Sequence, residues 1–274
     1  MFVKIAVTDI PPLSLAAGRV ALGAGVLTLV ALLQGQRFPR DRTAWLHALI
    51  VGIIGTVVPF FLIGWGQQYV DSALAAISMS SVPLFTLPLA HLLTHDEKLA
   101  PIKIAGVILG FIGVALLVLA STSETLESTP VGLIAILVAA FCYALAGILI
   151  RKMPEENAAV SGAMILLTGA TVLIALSCLV DRPWRLAPGF EALLSVAVLG
   201  VFSTGLATLA LVKLIERVGV TFASLNNYLV PVVGIACGVV WLDETLQPSA
   251  WIAFTFILVG VYLTSKTAPS GRNP

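Results

Sequence analysis

Charge is scarce in this sequence. Lysine and arginine number 15 and aspartate and glutamate 14 in 274 residues, 11% in all, where a soluble domain usually carries about 25%. That shortage excludes an ordinary soluble globule. The net charge of +1 supplies no general attraction to nucleic acid, so no nucleic-acid partner is expected. Cysteine is sparse too. Cys142, Cys178 and Cys237 all lie in apolar runs without metal-ligand spacing and read as small buried hydrophobes. There is no GxxxxGK[ST] phosphate loop, so the chain does not itself run on ATP, and no cofactor is expected. Residues 1–7 lack the apolar core and cleavage site of a signal peptide.

What is abundant is apolar surface. Hydrophobic residues make up 59% and mean hydropathy is +1.05, values that need a bilayer as solvent. Nine runs are long enough to cross it as helices: 12–33, 45–69, 72–93, 103–120, 132–150, 158–180, 192–214, 220–242 and 249–264. The runs are continuous, without the alternation of a barrel strand, and a helix satisfies every backbone amide inside its own segment. The expected fold class is therefore an all-α integral membrane protein.

Two stretches repeat. Residues 72–97 (SALAAISMSSVPLFTLPLAHLLTHDE) and 220–244 (VTFASLNNYLVPVVGIACGVVWLDE) each open on small and polar residues, carry a central Val-Pro and end in Asp-Glu. At a shift of about 147 residues Pro83 meets Pro231, Asp96-Glu97 meets Asp243-Glu244, Pro101 meets Pro248 and Gly113-Val114 meets Gly260-Val261. The polar segment STSETLESTP at 121–130 separates the halves. The expected organisation is a first repeat over 1–120, a linker over 121–130, a second repeat over 131–266 and a tail over 267–274. The second half has five runs. The first has four plus the Met1 fragment, so the pattern reads as a ten-helix, five-plus-five bundle with a truncated first helix: nine full spans and a fragment.

Lysine and arginine set the orientation. With the fragment running outward, Arg37, Arg40, Arg42, Lys98, Lys103, Arg151, Lys152, Lys213, Arg217, Lys266 and Arg272 fall inside, with the C-terminus in the cytoplasm. Outside fall Arg182, Arg185 and Lys4. Five helices per half is an odd number, so the halves enter the membrane in opposite senses, an inverted repeat of the kind secondary transporters use.

Several residues are candidates for substrate contact. Pro83 and Pro231 kink their helices and free carbonyls that a cavity or ligand can use; the alternative is a kink that only shapes packing. Ser78 and Ser81 precede the first proline, and Asn226, Asn227 and Tyr228 precede the second. These amides are costly in lipid and should face the interior, either toward substrate or toward a neighbouring helix. Thr204 and Thr208 share a helix face, and Thr56 overlays Thr204; hydroxyls of this kind either line a cavity or bond back to their own helix. Trp65 and Gln68 lie one turn apart near an outer end, where Trp also serves as an interface anchor. Tyr143 is mid-span and its hydroxyl needs a partner. Arg19 is the one charge well inside a run. It either neutralises an anionic substrate or snorkels to the interface. No Asp or Glu lies within any run, so no intramembrane carboxylate relay is visible. Gly106, Gly110 and Gly113 form a small-residue face for packing within the bundle or at a homodimer contact. His91 and His95 have no evident third ligand, so no metal site is expected.

The chain resembles the EamA-type transporters of the drug/metabolite transporter superfamily. The resemblance lies in IAVTDIPPLSLAAGRVALGA, in the 72–97 stretch with the Gly-rich helix that follows it, and in the copy that begins at Gly219. It implies a ten-helix inverted-repeat fold in the inner or plasma membrane and export of small metabolites, such as amino acids or toxic compounds, from a central cavity. It also matches Arg19 to an arginine these proteins often carry. The family often has Glu before the repeat proline, whereas this sequence has Val82 and Val230, so no coupling role is carried over there. The competing expectations are a membrane scaffold or partner-dependent subunit, whose cavity would be filled by side chains. An intramembrane enzyme would need convergent His, Asp or Glu.

Overall fold

The computed structural model describes residues 2–93, 101–121, 129–154, 157–220, 223, 233 and 247–265. The expectations for Asn226, Asn227, Tyr228, Pro231 and both Asp-Glu pairs, and nearly all of the 220–242 run, lie outside the described residues.

Every element found is helical. Helix α1 is the short Phe2–Ala6. Then come α2 (Pro12–Leu33), α3 (Arg42–Gly66), α4 (Ser72–Leu93), α5 (Pro101–Ser121), α6 (Thr129–Arg151), α7 (Ala158–Val180), α8 (Phe190–Val218) and α9 (Pro248–Ser265). Seven of them, α2 to α8, are long and apolar enough to cross a membrane. The ends follow local chemistry. Proline occupies the first turn of α2, where its missing N–H costs nothing. Asp41 caps α3 by accepting from the amides of Thr43 and Ala44, and Asn157 caps α7 by accepting from those of Ala159 and Val160. Helix α3 therefore begins three residues before the apolar run does. Gly219, at φ 82°, ends α8.

The long helices are apolar on both sides. Ile104, Ile108 and Ile112 of α5 and Leu22, Leu29 and Leu33 of α2 all face outward, as lipid-facing surface requires. Inside, one core cluster joins α4, α5, α6 and α9 through Ile77, Leu84, Leu117, Ile136 and Ile257. A second joins α2, α3 and α7 through Val20, Leu27, Val57, Leu166 and Leu173.

Two pairs of helices that are equivalent under the 147-residue shift, α2 with α7 and α5 with α9, pack directly on each other and run antiparallel. For α2 and α7, Ser14 Oγ lies 2.9 Å from Ser177 Oγ, while a Cβ on Gly162 would come within 2.7 Å of Leu27. For α5 and α9, a Cβ on Gly106 would meet the Gly260 carbonyl at 2.6 Å and one on Gly113 the Ala253 carbonyl at 2.8 Å. The shift carries 106 to 253 and 113 to 260, so it exchanges these two contacts. The small-residue face of α5 is thus used inside the bundle.

Helices α3 and α8 share a further irregularity. Each contains a π-helical stretch, Ile53–Val57 in α3 and Leu199–Leu206 in α8. The same shift lays the first, at 200–204, inside the second. π-Turns inside α-helices are rare and collect at functional sites.

Candidate functional site

A cavity of about 380 Å³ lies among α2, α3, α4, α6, α7 and α8. Its polar wall comes from Arg19, Thr56, Thr86, Tyr143, Ser203 and Thr208, and its apolar wall includes Val51, Phe60, Ile63, Met79, Val82, Ile165 and Leu211. Along α8 the lining runs from Ser203 to Ile215, about 18 Å at helical rise. It leads toward the helix end that carries Arg217 and, on α6, toward Arg151.

Arg19 stands at the head of this cavity. It is only 7% exposed. Its Nε–H donates to Thr204 Oγ1 at 3.1 Å, and its guanidinium carbon lies 4.0 Å from the centroid of the Phe60 ring. The arginine therefore points inward, held over an aromatic face, and does not snorkel to the interface. Close backbone approach makes this possible. A Cβ on Gly23 would strike Thr204 at 2.9 Å and one on Gly200 would strike Leu22 at 2.6 Å, so glycine at both positions lets α2 lie against the π-turn of α8. No carboxylate is among the described lining residues. The Phe60 ring is tilted against Tyr143, with centroids 6.2 Å apart. Tyr143 is deep in the bundle yet only partly buried, and it lines the cavity.

The hydroxyls divide into two kinds. Ser78, Ser81 and Thr86 bond back to the carbonyls of Leu74, Ser78 and Val82 at 2.9, 2.6 and 2.9 Å. Thr168 and Thr171 do likewise in α7. Thr204 instead accepts from Arg19. Thr56, Ser203, Thr208 and Tyr143 donate to no protein acceptor among the described residues, and all four line the cavity.

Helix α4 shows what the first proline does. Its α-helical geometry breaks at Ser80 and Ser81, just before Val82 and Pro83. Ser80 Oγ donates to the Ile77 carbonyl at 2.5 Å and Ser81 Oγ to that of Ser78 at 2.6 Å, so the serines take up acceptors that the break loosens. Ser78 and Ser81 do not line the cavity. Met79, Val82 and Thr86 of the same helix do, at the spacing of one helical face.

Trp65 and Gln68 stand apart from this group. Trp65 meets Tyr69 edge-on at 5.0 Å, and Gln68 is exposed in the turn after α3. Neither lines the cavity. Phe60, Thr86 and Ser203 were not singled out in the sequence. Phe60 could have been found as the residue one turn after the Thr56 repeat position. Ser203 is the neighbour of Thr204 that the π-turn brings to the wall. Among the described residues no group of three or more His, Cys, Asp or Glu could hold a metal ion.

Fold and site together define a multi-pass helical membrane protein with an internal cavity headed by a buried cation. The EamA-like transporter family matches residues 1–119 and again residues 130–266, and the chain belongs to that family. Among its relatives, the uncharacterized inner membrane transporter YedA of Escherichia coli (strain K12) is 28% identical over 265 residues, which is 96% of this chain and 84% of that protein. The uncharacterized transporter YoaV of Bacillus subtilis (strain 168) is 22% identical over 96% of this chain and 90% of its own length. An uncharacterized transporter of Archaeoglobus fulgidus is 26% identical over 96% of this chain and 92% of its own. A solved crystal structure of a protein superposes with a TM-score of 0.72 at 23% identity, over 96% of this chain and 91% of that one. At that identity the likeness speaks for the fold alone.

Proposed function

We propose that the chain is a secondary transporter that exports small metabolites, amino acids or drug-like compounds among them, by alternating access. Two inverted five-helix repeats, over 1–120 and 131–266, would rock about the cavity, with the 121–130 linker between them and the C-terminus in the cytoplasm. The antiparallel packing of α2 on α7 and of α5 on α9 favours this arrangement, as does the double family match. The transporter names of relatives in three organisms point the same way, and one of those names places its protein in the inner membrane.

One observation carries the reading: a cavity of about 380 Å³ at the junction of the halves, onto which Thr56, Tyr143, Ser203 and Thr208 bring hydroxyls that donate to no acceptor among the described residues. A non-transporting scaffold would have filled that space with side chains, since empty volume weakens packing. The cavity reaches toward the basic helix ends, while polar contacts tie the opposite end. There Asp181 accepts from Ser14 N and Oγ, each at 2.8 Å, and Lys4 pairs with Asp71 at 3.6 Å. With the basic ends in the cytoplasm, this is an inward-facing state.

The test is flux in proteoliposomes over a broad panel of metabolites, with and without a proton gradient. Saturable movement of at least one compound is expected. A panel that leaves every compound unmoved under both conditions overturns the reading.

A further inference from the structure

Arg19 carries a positive charge into the bundle and finds no carboxylate among the described lining residues. A buried, unpaired charge is costly, and the residues around it leave a defined part of it free. Phe60 covers one face of the guanidinium. Thr204 takes the Nε–H. The two Nη groups make no hydrogen bond among the described residues, and Arg19 lines the cavity. Two parallel N–H donors in one plane match the two oxygens of a carboxylate.

The rest of the cavity restricts what may be attached to that carboxylate. Arg19 is the only lysine or arginine among the described lining residues, so a dianion would bring surplus negative charge into a low-dielectric space. No Asp or Glu is among the described lining residues either, and the 220–242 run contains none. An ammonium group would therefore meet a cation and no counter-charge. The lower wall, with Val51, Met79, Val82, Ile165 and Leu211, suits an apolar body.

We infer that the cavity takes an amphipathic monoanion: a small organic acid with one carboxylate on an apolar body and no ammonium group, its carboxylate seated on the Nη edge of Arg19. This rests on the transporter reading and narrows its substrate class away from amino acids and cationic drugs.

Binding to the purified chain in detergent tests it by calorimetry with five probes on similar aromatic bodies. These are 3-phenylpropanoate, its neutral amide, the zwitterion phenylalanine, the cation phenethylamine and the dianion phenyl phosphate. The acid should bind at least tenfold more tightly than each of the others. Arg19→Gln should abolish that preference, and Arg19→Lys should keep part of it. Wild-type protein that binds any of the other four as well as the acid, or binds none of them, overturns the inference. So does a folded Arg19→Gln variant that still prefers the acid. The comparison among probes needs no variant, so misfolding of Arg19→Gln leaves the test intact. Flux separates the two claims. Acid that is bound but never moved sinks the transporter reading and leaves the site standing. Movement of a neutral or cationic compound without acid binding does the reverse.

Discussion

A single hydroxyl holds the charge at the head of the cavity. Thr204 is fully buried and accepts the Arg19 Nε–H. Its methyl is packed against the Gly23 backbone. Thr204→Val keeps that shape and removes the acceptor, so the N–H is left without its partner. The expected cost is about 1–3 kcal/mol, read as a lower unfolding midpoint in detergent, whereas Thr204→Ser should stay near wild type. An unchanged midpoint for the valine variant would show that cavity water meets the N–H instead. The contrast with Ser78, Ser81 and Thr86 shows why hydroxyls in membrane helices are poor guides one by one. Each has a ready acceptor in its own helix three or four residues back. Only a competing geometry, such as the π-turn around Thr204, turns the hydroxyl outward.

Between elements, α5 and α9 approach each other backbone to backbone. A Cβ at Gly260 would lie 2.5 Å from the Gly110 amide nitrogen and 2.6 Å from the Gly106 carbonyl oxygen. Both obstacles are backbone, so nothing local can swing aside. Gly260→Ala must push the helices apart and should destabilise the chain by about 1–3 kcal/mol. Gly25 is the control, because a Cβ there meets nothing within 4 Å. Gly25→Ala should lie within about 1 kcal/mol of wild type and on the stabilising side, since alanine is the better helix former. Thermal unfolding of the two variants in the same detergent decides the matter. Equal midpoints would mean that α5 and α9 do not pack this tightly in the membrane protein.

For the whole molecule, the proposed inward-facing state asks which contacts close the end away from Arg151 and Arg217. Asp181, at the end of α7, holds the first turn of α2 through two hydrogen bonds from Ser14, and Asp9 accepts from the Gly189 amide at 3.0 Å. A hydrogen bond to a charged group contributes about 1.5–3 kcal/mol, enough to move a two-state equilibrium about tenfold or more. Asp181→Ala should therefore favour the outward-open state. With the three native cysteines replaced and Ser203→Cys as reporter, a membrane-impermeant maleimide added from outside should label the Asp181→Ala protein several-fold faster. Unchanged labelling would show that this contact does not govern the outer gate.

Membrane class and the places of the seven long helices follow from the sequence alone. A bilayer accepts only long apolar helices, so run length maps directly onto helix length: 12–33, 72–93 and 158–180 match α2, α4 and α7 at both ends. Arg19 stood out in the sequence as a costly intramembrane charge, but whether it faced the interior or snorkelled to the interface was settled only by its packing over Phe60 and against Thr204. The facing of other side chains was not legible either. Trp65 and Gln68 looked like a pair one turn apart, but α3 ends at Gly66 and leaves Gln68 in a turn. Met79, Val82 and Thr86 line the cavity where Ser78 and Ser81 do not, and no property of the residue types distinguishes those faces. A helix that is apolar all round carries no moment to reveal its inner side. That choice belongs to the packing: the glycines that bring α2 against α8, the π-turns that rotate Thr56 and Ser203 inward, and the antiparallel contacts of α2 with α7 and of α5 with α9.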